Sequence, residues 1–173
     1  MRKESMKESF VRVYASESDS VFRFCFLRTS DREVAIDLTQ EAFVRLWDTL
    51  SKGDADISNH RAFLFTIARH LVIDWYRKKK PVSLDALEED GEDSPGESVA
   101  RFESTAEIDS DARRLIDTMQ QLEEPYRQAV HLRYVDELKP REIAEMLGES
   151  VNVISVRINR GLHKLRILLH HEE

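Results

Sequence analysis

The sequence predicts an all-α protein of two small helical domains, residues 1–80 and 112–173, joined by a flexible acidic linker over 81–111. Three observations predict it. No segment alternates apolar and polar residues with a period of two, while apolar residues recur at three- and four-residue spacing along both flanks. Between Pro81 and Ala112 eleven acidic residues stand against Arg101 alone, mixed with Pro81, Gly91, Ser94, Pro95, Gly96 and Ser98. Such a stretch buries too little apolar surface to offset its ordering entropy. Finally, 173 residues with 41% hydrophobic content suit one ordinary domain or two small ones.

In the first unit, a pair of helices is expected around Phe10 to Ala15 and Val21 to Arg28, broken by the polar run SESDS. Ser30 followed by Glu33 forms a capping box for a helix through Leu50. Its Val34, Leu38, Ala42, Phe43, Leu46, Trp47 and Leu50 keep helical spacing. The turn-rich SKGDADISN then leads into a helix on which Phe63, Ile67, Leu71 and Trp75 recur every fourth residue. That helix ends in two adjacent aromatics, Trp75 and Tyr76, followed by Arg77, Lys78, Lys79 and Lys80.

The second unit begins near Asp111, with Leu115, Ile116, Met119 and Leu122 on one face, and restarts at Pro125 to end near Tyr134. Pro140 opens a short helix carrying Ile143, Ala144 and Leu147, and Gly148 ends it. Ser150 caps a longer helix bearing Val151, Ile154, Ile158, Leu162 and Leu165. Two helices joined by a tight glycine turn form a helix-turn-helix, whose second helix fits the major groove of duplex DNA.

Taken alone, the net charge of −7 argues against a nucleic-acid ligand, but its distribution reverses that. The segment from Pro81 to Ala112 carries −10, leaving +3 for the rest, and His60 to Lys80 alone carries +5. Positive charge therefore gathers where the aromatic residues are, a pairing that suits phosphates and an unstacked base together. The plainer reading places Trp75 partly in the core and lets the lysines solvate a helix C-terminus.

Cys25, the only cysteine, lies between Phe24 and Phe26 and reads as a core thiol, which excludes a disulfide framework and a cysteine-rich zinc site. His163, His170 and His171 lack the carboxylate or thiolate company of a metal site, so neither metal nor cofactor is expected. The charged start MRKESMKESF and the want of a long apolar run point to a cytoplasmic protein without membrane insertion.

DLTQEAFVRLW (37–47), FLFTIARHLVIDWYRKKK (63–80) and LEEPYRQAVHLRYVDELKPREIAEMLG (122–148) with the helix after it resemble, in that order, the extracytoplasmic-function sigma factors of bacteria. The likeness covers nearly the whole chain. It implies a non-enzymatic transcription initiation factor. The first segment is similar to the region 2 surface that docks on the clamp coiled coil of core RNA polymerase, implying contacts by Asp37, Leu38, Gln40, Glu41 and Phe43. Independently, a mixed acidic and apolar face of this kind suits a basic helical partner, although Phe43 and Leu46 fit core packing better.

The second segment looks like the helix that engages the −10 element as it melts, implying Arg69, Trp75, Tyr76, Arg77, Lys78, Lys79 and Lys80 as DNA contacts. By the same resemblance, the loop before it holds a base flipped from the melted strand, with Asp56 and Asn59 able to bond its edge. Ordinary turn solvation explains those two equally well. The third segment looks like region 4, which reads duplex DNA at the −35 element and touches the polymerase flap, implying Arg141, Asn152, Ser155, Val156, Arg157, Asn159, Arg160 and Lys164. Val153, Ile154, Ser155, Val156 and Arg157 stand where the family often has Thr-Val-Lys/Arg-Ser-Arg, so an atypical or weakly specified −35 sequence is expected.

The resemblance further implies a monomer within the holoenzyme, and an anti-sigma partner in the manner of many family members. Two other readings remain. A hydrolase or nuclease would use His70 and Asp74, four apart on one helix face, but no second carboxylate pair or phosphate-cradling loop accompanies them. A free-standing helix-turn-helix regulator would have no need of the Asp37 to Trp47 surface, whereas a sigma-like protein that binds a partner and no longer initiates is told apart by run-off transcription. The acidic linker suits competition with DNA for the basic surfaces in the free protein, or plain solvation.

Overall fold

The computed structural model describes residues 6–53, 57–79 and 110–171, which form seven α-helices. The chain divides into two compact units, Met1–Arg101 and Phe102–Glu173. The expected linker lies outside the described residues except for Ser110 and Asp111, which form the start of a helix.

The first unit is a three-helix bundle of α1 (Met6–Thr29), α2 (Arg32–Lys52) and α3 (His60–Lys79), each packed on the other two. Val21, Phe24, Cys25, Ala35, Ala42, Leu46, Leu64, Phe65 and Ala68 are buried between them. Phe24 and Phe65 meet edge to face at 5.4 Å, a geometry that satisfies both ring quadrupoles. Cys25 is fully buried, as a core thiol should be.

Three expectations for this unit need correction. The SESDS run does not break α1, which is continuous from Met6 to Thr29. Val13, Val21 and Phe24 are buried on both sides of the run, and one unbroken helix holds them on one face. Glu17, within the run, bonds Arg61 of α3 at 2.8 Å with both side chains largely shielded, so the polar segment has a partner that spacing could not show. Weak serine propensity gives way to that packing.

The cap of α2 is also one residue later than expected. Asp31, and not Ser30, accepts from the backbone N–H groups of Glu33 and Val34 at 3.0 and 3.1 Å. Ser30 closes α1 instead, in the left-handed region at φ 53°, its N–H bonded to the Phe26 carbonyl. On α3 the buried face runs through Ala62, Leu64, Phe65, Ala68, Leu71 and Val72. Phe63, Ile67 and Trp75 only flank it, half-buried.

In the second unit, α4 (Ser110–Gln120), α5 (Glu124–Tyr134) and α6 (Pro140–Leu147) all pack on α7 (Val151–His171). Met119, Leu122, Val130 and Leu165 form one buried cluster, with Leu162, Leu168 and Leu169 packed against it. Leu115 and Val151, expected on the apolar faces, are exposed, Val151 as the first residue of α7. Gly148 ends α6 at φ 68°, the left-handed conformation glycine adopts without strain. Ser150 caps α7 through Oγ, which accepts from Val153 N–H at 3.2 Å. Between α5 and α6 the chain turns over a buried contact of His131 Nδ1 with Asp136 Oδ2 at 3.1 Å.

Candidate nucleic-acid interface

Helical periodicity sorts α2 into a buried face and an exposed row. Asp37, Gln40 and Glu41 are exposed and Leu38 is half-buried. Phe43 is not available for docking: it is only 4% exposed, with the rings of Tyr14 and Phe10 at 4.8 and 6.2 Å. The residue that belongs on the row in its place is Val44, 54% exposed, together with Ile36. Ile36, Gln40 and Val44 are four apart, and Asp37, Glu41 and Asp48 run beside them, so an acidic and apolar stripe faces solvent. Spacing from the buried Ala35, Ala42 and Leu46 was the available signal for Ile36 and Val44. Glu41 is partly neutralised by Arg45 at 2.7 Å.

The C-terminal turns of α3 gather cations around two rings. Arg77, Lys78 and Lys79 are exposed, and Trp75 and Tyr76 are half-buried. Lys79 Nζ lies 4.7 Å from the centre of the Trp75 ring, and the two rings meet edge to face at 4.9 Å. The Tyr76 hydroxyl donates to the carbonyl of Arg28, which fixes that ring against α1 and removes it from the freely offered surface. Trp75, held by no hydrogen bond of its indole among the described residues, is the better stacking platform. Arg69 is half-buried; desolvation and the neighbouring Arg28 charge both hold its pKa below the usual guanidinium value. A phosphate close to Arg69 would oppose both effects by favouring the charged form.

Asn59 proves to be a helix cap. Its Oδ1 accepts from Ala62 N–H at 3.0 Å and its carbonyl from Phe63 N–H at 3.1 Å. The amide NH2 remains for another ligand. Asp56 and Lys80 lie outside the described residues.

On α6 and α7, Arg141, Asn152, Val156, Asn159 and Arg160 are exposed, whereas Ser155 is half-buried at the edge of the outward face. Two expected phosphate contacts are already engaged. Arg157 bonds Glu149 at 3.0 Å. Lys164 turns back to Glu123 on the segment before α5, lies over the Tyr126 ring at 4.8 Å, and has its pKa raised chiefly by the Glu123 hydrogen bond. Such long-range carboxylate partners leave no trace in local spacing.

Among the described residues no group of histidine, cysteine and carboxylates could hold a metal ion, and no helix is long and apolar enough to cross a membrane.

Comparison with known proteins agrees in order and extent. A family model for sigma-70 region 2 matches residues 13–82, and one for sigma-70 region 4 matches residues 112–165. The chain is 31% identical to ECF RNA polymerase sigma factor SigW of Bacillus subtilis (strain 168), over 95% of this chain and 90% of that protein. It is 30% identical to ECF RNA polymerase sigma factor BldN of Streptomyces coelicolor, over 94% of this chain and 61% of that one. Among solved structures, sigma factor RpoE of Bartonella quintana, in complex with the anti-sigma factor NepR, shares the fold with a TM-score of 0.63 at 20% identity, covering 96% of this chain and 99% of that one. CnrH, in complex with the cytosolic domain of CnrY, gives 0.61 at 22% identity, covering 96% and 91%.

Proposed function

This chain belongs to the extracytoplasmic-function sigma factors, and from that premise we propose how its surfaces are used. As a member it binds core RNA polymerase and directs promoter-specific transcription initiation through −10 and −35 recognition. The single observation that carries this is the succession of region 2 and region 4 matches along one chain.

In our reading, residues 1–80 act as region 2, 81–111 as the tether and 112–173 as region 4. The α2 stripe of Ile36, Asp37, Gln40, Glu41 and Val44 docks on the clamp coiled coil. Its carboxylates meet basic side chains while the two apolar residues are dehydrated, which is the usual division between steering and affinity. Trp75 stacks on a base of the melted −10 strand, and Arg69, Arg77, Lys78 and Lys79 neutralise its phosphates. The exposed face of α7 enters the major groove at −35, with Arg141 on α6 at the backbone. All bond-making belongs to the polymerase, so the chain is not itself an enzyme, and it works in the cytoplasm as one copy per holoenzyme. An anti-sigma protein, the kind of partner seen with the Bartonella sigma factor, would restrain it by covering one of these faces.

Run-off transcription with purified core enzyme tests the assignment. Promoter-dependent product is expected with the full chain and none with core alone; product from core plus chain that is indifferent to the promoter would overturn it.

A further inference from the structure

The exposed face of α7 has an unusual chemical order for a helix that reads duplex DNA. At about 100° per residue, Asn152, Val156, Asn159 and His163 fall within about 60° of arc. All four are exposed, while Ile154, Ile158 and Leu165 are buried on the opposite side. Val156 is 45% exposed at the middle of this face, with an asparagine one turn to either side. The cations Arg157, Arg160 and Lys164 all lie on one flank of it, and two of those are bonded to Glu149 and Glu123. The centre of the reading face therefore carries no arginine or lysine to clamp the O6 and N7 acceptors of guanine, Arg160 standing at its edge and His163 and Arg166 towards its C-terminal end. It contains instead a branched apolar side chain, suited to a thymine methyl, between two amides suited to the N6 and N7 edge of adenine.

We propose that Val156 is the specificity-determining residue of the −35 contact, packing on the C5-methyl of a thymine while Asn152 and Asn159 read adenines beside it, so that this chain selects an A·T-rich element there. The inference rests on the assignment of α7 as the −35 reader. It replaces a merely weak −35 preference by a defined one.

The experiment uses holoenzyme formed from the full chain and core polymerase, on promoters randomised across the −35 element and then on the selected promoter with single thymines replaced by deoxyuridine, which removes only the methyl. Thymine should be enriched at a central position, and deoxyuridine there should weaken binding about fourfold. Val156→Ala, a change at an exposed site that leaves the fold intact, should bind the thymine and deoxyuridine promoters equally, and Val156→Arg should shift the preference at that position to guanine. Guanine selected by the unaltered chain, or a deoxyuridine penalty that persists in Val156→Ala, would overturn the proposal. If scrambling the whole −35 element leaves transcription unchanged, the assignment of α7 fails; if scrambling abolishes it while thymine and deoxyuridine bind alike, the role of Val156 alone fails.

Discussion

The Tyr76 hydroxyl donates to the backbone carbonyl of Arg28, fastening the cationic end of α3 to the last turn of α1. Arg28 is itself held there, its guanidinium 3.6 Å over the Phe24 ring and bonded to the Phe24 carbonyl at 3.0 Å. Tyr76→Phe keeps the ring and removes one donor from a partly buried carbonyl. Urea unfolding should show a loss of about 1 kcal/mol from the first unit. Binding of a single-stranded −10 oligonucleotide by the holoenzyme should hardly change, and a loss as large as that of Trp75→Ala would show that Tyr76 touches DNA.

Trp75 is the converse case. Its ring is half-exposed and carries Lys79 on one face. Trp75→Ala should weaken that same oligonucleotide by about 1–3 kcal/mol, read as Kd, with a smaller cost to folding than a buried aromatic would give. Unchanged affinity with lowered stability would return Trp75 to the core.

On α2, Val44→Ala should weaken binding to core polymerase several-fold without lowering the Tm of the free chain, because the side chain is exposed. Phe43→Ala should act the opposite way, destabilising the bundle by about 3–5 kcal/mol. Comparing the two by thermal melting and by competition for core enzyme separates docking from packing.

These cases show where local sequence was enough. The helix-turn-helix was legible because Pro140, Gly148 and Ser150 carry their own backbone chemistry, and the aromatic-basic end of α3 because its residues are consecutive. The break assigned at SESDS and the cap assigned to Ser30 failed for different reasons. The first ignored a partner, Arg61, far away in the chain; the second mistook which of two adjacent cap-forming residues takes the left-handed turn. Phe43 is buried and its neighbour Val44 exposed because a helix row turns inward or outward by a single position, and only the packed neighbours fix which. The engagement of Lys164 by Glu123 was illegible for the same reason as Glu17 with Arg61.

That ion pair makes its own prediction. With Lys164 engaged, Arg160 should carry more of the phosphate contact. Arg160→Ala should reduce the salt dependence of −35 binding by about one unit of slope, and Lys164→Ala by less. Glu123→Gln should release Lys164 and raise −35 affinity at low salt. Equal slopes for the two alanine variants would place Lys164 on the DNA after all.

Gly161 lies where α7 crosses α5, and the closeness of that crossing depends on its missing side chain. A Cβ there would stand 2.6 Å from Val130 Cγ2 and 3.2 Å from the Tyr126 carbonyl oxygen. Alanine would gain about 1 kcal/mol of helix propensity over glycine. Against that, Val130 is buried and branched at Cβ, so it cannot swing aside, and the Tyr126 oxygen is backbone that moves only with α5. Overpacking of this kind costs about 1–3 kcal/mol, so the clash should win and Gly161→Ala should lower the stability of the second unit. Val130→Ala removes the nearer obstacle, and the double variant should therefore lose less than the two single losses added together. Thermal unfolding of the three variants measures that coupling. A Gly161→Ala chain as stable as the parent would mean that α5 and α7 can separate freely, and with them the support that holds the exposed face of α7 toward the groove.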